Sequence, residues 1–87
     1  MGLRFPGNVV FREEPEGGIV FNVDTGEMRF VEGVARGICR LIDRRRKRDE
    51  ILSELEARYP EIGAGRLAED LDDFLSALRA SSMLEDS

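Results

Sequence analysis

The hydrophobic pattern of this chain changes period once, near Gly33, and that change restricts the fold more than any other feature. Before it, apolar residues come in short β-rich runs broken by turn signals. After it, they recur at helical spacing. Val9-Val10-Phe11-Arg12-Glu13 is the first run and ends at the polar turn Glu14-Pro15-Glu16-Gly17. Gly18-Ile19-Val20-Phe21-Asn22-Val23 is the second, with Ile19, Phe21 and Val23 on one face and Asn22 on the other. Asp24-Thr25-Gly26 reads as a three-residue hairpin loop in which Gly26 takes the left-handed conformation. Glu27-Met28-Arg29-Phe30-Val31 is the third run, Met28 and Phe30 on one side, Glu27 and Arg29 on the other. A three-stranded antiparallel β-meander is predicted.

Helices follow. Val34, Ala35, Ile38, Cys39, Leu41 and Ile42 mark a first helix. Ile51, Leu52, Leu55 and Tyr59 mark a second, with Asp49 and Glu50 in its first turn and Pro60 as its stop. A third is predicted from about Arg66 to Ala80, its core stripe being Leu67, Leu71, Phe74, Leu75 and Leu78. Ser81-Ser82-Met83-Leu84 is expected to tuck back on the core, and the ends, Met1 to Asn8 and Glu85 to Ser87, to be loose. A three-stranded meander needs one face covered, so the helices pack against it. The fold class is α+β, winged-helix-like in content: three strands, then three α-helices, in a single domain over residues 1–87 with an ordered core at about 9–84.

Composition removes most catalytic chemistry. The chain has 87 residues, no His and one Cys, so neither a Ser-His or Cys-His nucleophile nor a Cys/His zinc site can form. No enzyme activity, metal or cofactor is expected. A lone Cys makes no internal disulfide, which fits a reducing, cytoplasmic setting. The net charge of −5 argues against nucleic acid as a partner. No apolar run approaches the ~18 residues that a membrane span needs, and the start, Met1 to Pro6, has no secretory h-region.

Three charged or reactive features are weighed on the same terms. Glu69, Asp70, Asp72 and Asp73 on the third helix read as a solvated face rather than a cation site. Arg44-Arg45-Arg46-Lys47-Arg48 reads as a solvated inter-helix loop, partly neutralised by Asp43, Asp49 and Glu50. Its functional alternative is a winged-helix nucleic-acid binder gripping phosphates with this block, although no aromatic residue is interleaved to stack on bases. Cys39 reads as a buried small hydrophobe.

The informative feature is a vulnerability. The last strand of a meander is an open edge, offering unpaired N–H and C=O groups to another chain. Arg29 and Glu27 discourage self-pairing there and still admit a chosen guest. A monomer, or a weak homodimer paired along that edge, is the expected state.

From about Val9 to Leu84 the chain resembles the PqqD-like family, also called RiPP recognition elements. The resemblance rests on pieces in order: the apolar run into Asp24-Thr25-Gly26-Glu27, the Gly33-to-Asp43 segment with Ala35, Ile38 and Leu41-Ile42-Asp43, then Asp49-Glu50-Ile51, Leu55 to Tyr59-Pro60, Asp70-Leu71, Phe74-Leu75, Leu78 and Met83-Leu84. The chain departs from the family's habit at Val31-Glu32, Arg44, Lys47 and Ser82-Met83. Lys47 replaces the usual Ser or Thr helix cap, and Asp49 is expected to make that good.

The resemblance implies a non-catalytic peptide chaperone. It would bind the leader of a ribosomally made precursor peptide by β-strand addition and present it to a modifying enzyme, often a radical SAM enzyme. Carried over, backbone pairing falls on Met28, Arg29, Phe30 and Val31. The helix wall falls on Arg66, Asp70, Asp73, Phe74 and Ala77, although Phe74 reads first as core because it completes the Leu71–Leu75–Leu78 stripe.

Overall fold

The strand-then-helix order expected from the change of period is the order found. In the computed structural model, which describes residues 2–86, the chain runs β1 (Leu3–Arg4), β2 (Val9–Glu14), β3 (Gly17–Asn22), β4 (Met28–Val31), α1 (Val34–Asp43), α2 (Arg48–Arg58), α3 (Ala64–Ala80) and β5 (Glu85–Asp86). β2, β3 and β4 form an antiparallel sheet in that order, an α+β arrangement with the helices after the meander.

Helical spacing of apolar residues decides what the helices bury. Ile38, Cys39 and Ile42 of α1, Ile51 and Leu55 of α2, and Leu67, Leu71, Leu75 and Leu78 of α3 are all buried. Val9, Val20 and Val31 close the core from the sheet, and Met83 and Leu84 tuck under α3 as the sequence predicts. Each fully buried aliphatic side chain contributes roughly 1.5–3 kcal/mol relative to exposure. Phe74 is half-buried and packs against this core.

The sheet turns the Val20 face inward. Gly18, Val20 and Asn22 of β3 are buried, while Ile19 and Phe21 lie half-buried on the outer face beside Met28 and Phe30. Close packing selects this face. A Cβ on Gly18 would lie 2.7 Å from Cε1 of Phe11 and 3.0 Å from Cγ2 of Val31, so the Phe11 ring needs a glycine beneath it. Buried Asn22 is satisfied locally, its Oδ1 accepting from the N–H groups of Asp24 (2.9 Å) and Thr25 (3.1 Å).

The β3–β4 connection is one residue longer than expected. Gly26 N–H donates to Asn22 C=O and Asn22 N–H donates to Glu27 C=O, both at 2.9 Å, which leaves Val23–Gly26 in the loop. Gly26 has φ 79°, the left-handed conformation the sequence assigns to it.

The ends are tied down rather than loose. β1 pairs antiparallel with β5, Leu3 opposite Asp86 and Arg4 opposite Glu85. Leu3 is buried, its N–H donates to Arg46 C=O at 3.0 Å, and Arg4 meets Glu85 at 2.8 Å. The ordered core therefore extends beyond 9–84. Met1 and Ser87, also expected to be loose, lie outside the described residues.

The cap of α2 differs too. Glu50 Oε1 accepts the Lys47 N–H at 2.8 Å, whereas the Asp49 carboxylate is engaged by Arg48 at 3.0 Å. Glu50, three residues past the cap, reaches back as the second half of a capping box does.

Candidate functional site

Backbone hydrogen bonds alternate along an antiparallel strand, so one fixed bond phases the whole ladder. Asn22 N–H donates to Glu27, on the β4 side, and Val23 N–H donates to Asn8, on the β2 side, each at 2.9 Å. Even-numbered residues of β3 thus bond toward β4. The register sets Gly18 opposite Val31 and Val20 opposite Arg29, which are hydrogen-bonded pairs. Ile19 opposite Phe30 and Phe21 opposite Met28 are the non-bonded pairs. The N–H and C=O groups of Met28 and Phe30 therefore point away from β3, into the open edge.

This phase divides the four residues that the family resemblance offers for pairing. Met28 and Phe30 present free backbone. Arg29 and Val31 spend theirs on β3, and their side chains face the helices, Arg29 half-buried and Val31 buried. Sequence parity could not supply the phase, because it depends on the four-residue loop.

The side chains divide the same way. Met28 is 54% exposed and Phe30 74%, on the outer face. At the Val31 end of β4, a cavity of about 340 Å³ is lined by Ile19, Phe30 and Val31, with Glu14, Glu16 and Glu32 among its other residues. A side chain of an added strand has a receptive space there.

The α3 residues share one stripe at helical spacing. Arg66 and Asp70 pair with each other at 3.1 Å, Asp73 is exposed, and Phe74 and Ala77 are half-buried. Among the described residues, no hydrogen bond or ion pair joins β4 to α3.

The other features weighed from sequence resolve plainly. Burial pushes the Cys39 thiol up to about 12, against a weaker opposing pull from Arg29, so it stays protonated and unreactive. The acidic run on α3 is spent in part on ion pairs: Asp70 with Arg66, and Asp72 with Arg48 through two bonds of 2.9 and 2.8 Å. Among the described residues, no group of three or more His, Cys, Asp or Glu side chains could hold a metal ion.

The basic block does not act as one patch. Arg48 is committed to Asp72 and Asp49, and Arg46 C=O ties down β1. Arg44 and Arg46 instead line a small cleft between α1 and α2 with Arg40, Arg58 and Tyr59. Among the described residues, no helix is long and apolar enough to cross a membrane.

Solved structures share this fold. One solved structure, titled "TbiB1 in Complex with the TbiA(beta) Leader Peptide", matches with a TM-score of 0.88 at 24% identity, covering 97% of this chain and 96% of that one. A second, titled "Lasso peptide synthetase B1 complexed with the leader peptide", matches with a TM-score of 0.85 at 14% identity, covering 98% and 99%. At such identities the likeness is one of fold. No curated protein sequence matches significantly. The family model of coenzyme PQQ synthesis protein D matches residues 17–84, which span the sheet from β3 through all three helices. On that match the chain belongs to the PqqD family.

Proposed function

We propose that this chain is a non-catalytic peptide chaperone that takes the leader of a ribosomally made precursor peptide as a fourth strand along β4. The observation that carries the reading is the edge itself: Met28 and Phe30 offer two N–H and C=O sets with no partner among the described residues. Main-chain pairing supplies sequence-tolerant affinity, and the flanking side chains supply selection. The helix wall of Arg66, Asp70, Asp73, Phe74 and Ala77 is the surface such a strand would lie against. Both fold neighbours are described as bound to leader peptides, which supports the same role here.

The chaperone presents the leader to a modifying enzyme in the cytoplasm. The family resemblance favours a radical SAM enzyme, and the second fold neighbour, a lasso peptide synthetase B1, favours a lasso peptide synthetase partner. Co-purification with each candidate enzyme decides between them. Presentation works by effective concentration: the guest's core is tethered beside the enzyme once both are held.

The nucleic-acid reading draws less support. Asp72 and Asp49 neutralise Arg48, and α3 presents Glu69, Asp70, Asp72 and Asp73, a field that repels phosphates.

An amide titration of the labelled chain with the leader of a precursor encoded beside it tests the proposal. Binding by strand addition perturbs the Met28 and Phe30 amides most. Saturable binding that leaves both amides unmoved would reject the edge as the site.

A further inference from the structure

Five arginines in this domain are half-buried, and four of them have partners. Arg4 pairs with Glu85, Arg36 and Arg40 with Glu13, and Arg48 with Asp72 and Asp49. Arg29 is the fifth. Among the described residues it makes no ion pair and no side-chain hydrogen bond. It stands opposite buried Val20 and alternates with exposed Met28 and Phe30, so it lies on the helix side of the sheet. A guanidinium held there is partly desolvated, and partial desolvation strengthens its attraction for an anion.

Its position on the ladder says where such an anion would come from. In an antiparallel strand added to β4, the guest residues opposite Met28 and Phe30 form the bonded pairs and point their side chains outward. The guest residue between them stands opposite Arg29 in a non-bonded pair. There the two Cα atoms approach to about 4.5 Å and the side chains are closest, both facing inward. Arg29 and that residue would share the space between sheet and helices. Outside, Phe30 and Met28 leave apolar surface that the two flanking guest side chains would cover.

Resting on the strand-addition reading, we propose that Arg29 is a specificity determinant, and that the bound leader segment carries Asp or Glu opposite it between two apolar residues. The pattern apolar–acidic–apolar is the class of leader this edge selects. Because Arg29 remains partly solvated, the preference is moderate, on the order of fivefold over an uncharged residue.

The test uses the full chain and three synthetic strand peptides, identical except for Glu, Gln or Lys between two valines. Amide shifts at Met28 and Phe30 report pairing, and the titration curves report affinity. The expected ranking is Glu above Gln above Lys for the native chain, reversed for Lys and Glu in Arg29→Glu and flattened in Arg29→Gln. The native-chain ranking stands even if a variant fails to fold. Pairing at Met28 and Phe30 with equal affinity for all three peptides would overturn the role of Arg29 and leave strand addition intact. No perturbation of those amides by any peptide would overturn strand addition and this inference with it.

Discussion

The sheet has two edges, β2 and β4, and the chain treats them differently. Along β2, Arg36 Nη1 donates to the Glu14 C=O at 3.1 Å, and Arg40 grips both oxygens of Glu13 at 2.7 Å each. At its start, Val9 N–H donates to Pro6 C=O at 2.9 Å. Helix α1 thus fastens itself over β2 with two arginines. β4 has no such fastening among the described residues, and its outward backbone belongs to Met28 and Phe30. Edges are hazards that folded chains ordinarily cover or charge. The two edges thus differ in their side chains: β2 carries ion pairs to α1, and β4 presents exposed Met28 and Phe30.

The largest expected effect tests whether the helices support both edges. Leu71 is fully buried at the centre of α3, and Leu71→Ala should lower stability by about 2–5 kcal/mol. Urea unfolding followed by circular dichroism measures it. A change near zero would mean that α3 does not back the sheet.

A proline pair then separates the two sides of β4. Arg29→Pro removes an N–H that bonds to Val20, leaving a buried carbonyl unpaired at a cost of about 1–3 kcal/mol. Phe30→Pro removes an N–H that faces the open edge, so stability should change by no more than about 1 kcal/mol. Leader affinity, by contrast, should fall about two- to tenfold in Phe30→Pro, since each main-chain bond is worth about 0.5–1.5 kcal/mol. Equal stability losses in the two variants would mean that the ladder has the opposite phase. Amide exchange reads the same alternation without mutation. Met28 and Phe30 should exchange at least about tenfold faster than Arg29 and Val31, and should slow when a leader binds.

Much of this was legible in the residues. The period change at Gly33, the stop at Pro60 and the left-handed Gly26 all act within a few residues of themselves, and each has one stable solution. Which face of the sheet turns inward was not legible. Ile19, Phe21, Met28 and Phe30 are as apolar as Val9, Val20 and Val31, so alternation alone leaves the two faces equivalent. The choice is made by the fit of Phe11 over Gly18, a contact between strands. The closing of the ends was hidden for a similar reason: two-residue strands at opposite termini carry no periodicity to read. For the candidate site, the strand was legible and its bonding phase was not. One extra residue in the Asn22–Glu27 turn exchanges the partners of every backbone group on β4.

The smallest effect concerns the β2 edge and comes from its ion pair. The Arg40 guanidinium, hydrogen-bonded to Glu13, holds that carboxyl below the ordinary carboxylate range, and Arg48 does the same to Asp72. A carboxyl with a depressed folded-state pKa binds fewer protons folded than unfolded. Its contribution is complete above the unfolded value, near about pH 4, and fades as pH falls through the lower folded value. Both carboxyls are solvent-exposed, so the loss is small and salt weakens it further. The Glu13 share falls on the β2 edge, and among the described residues β4 has no ion pair to lose. Between neutral pH and pH 3, Arg40→Gln should therefore lose less stability than the native chain in low-salt urea titrations. An unchanged acid loss in Arg40→Gln would show that the Glu13 pair does not fasten β2, and that the two edges differ only in their backbone.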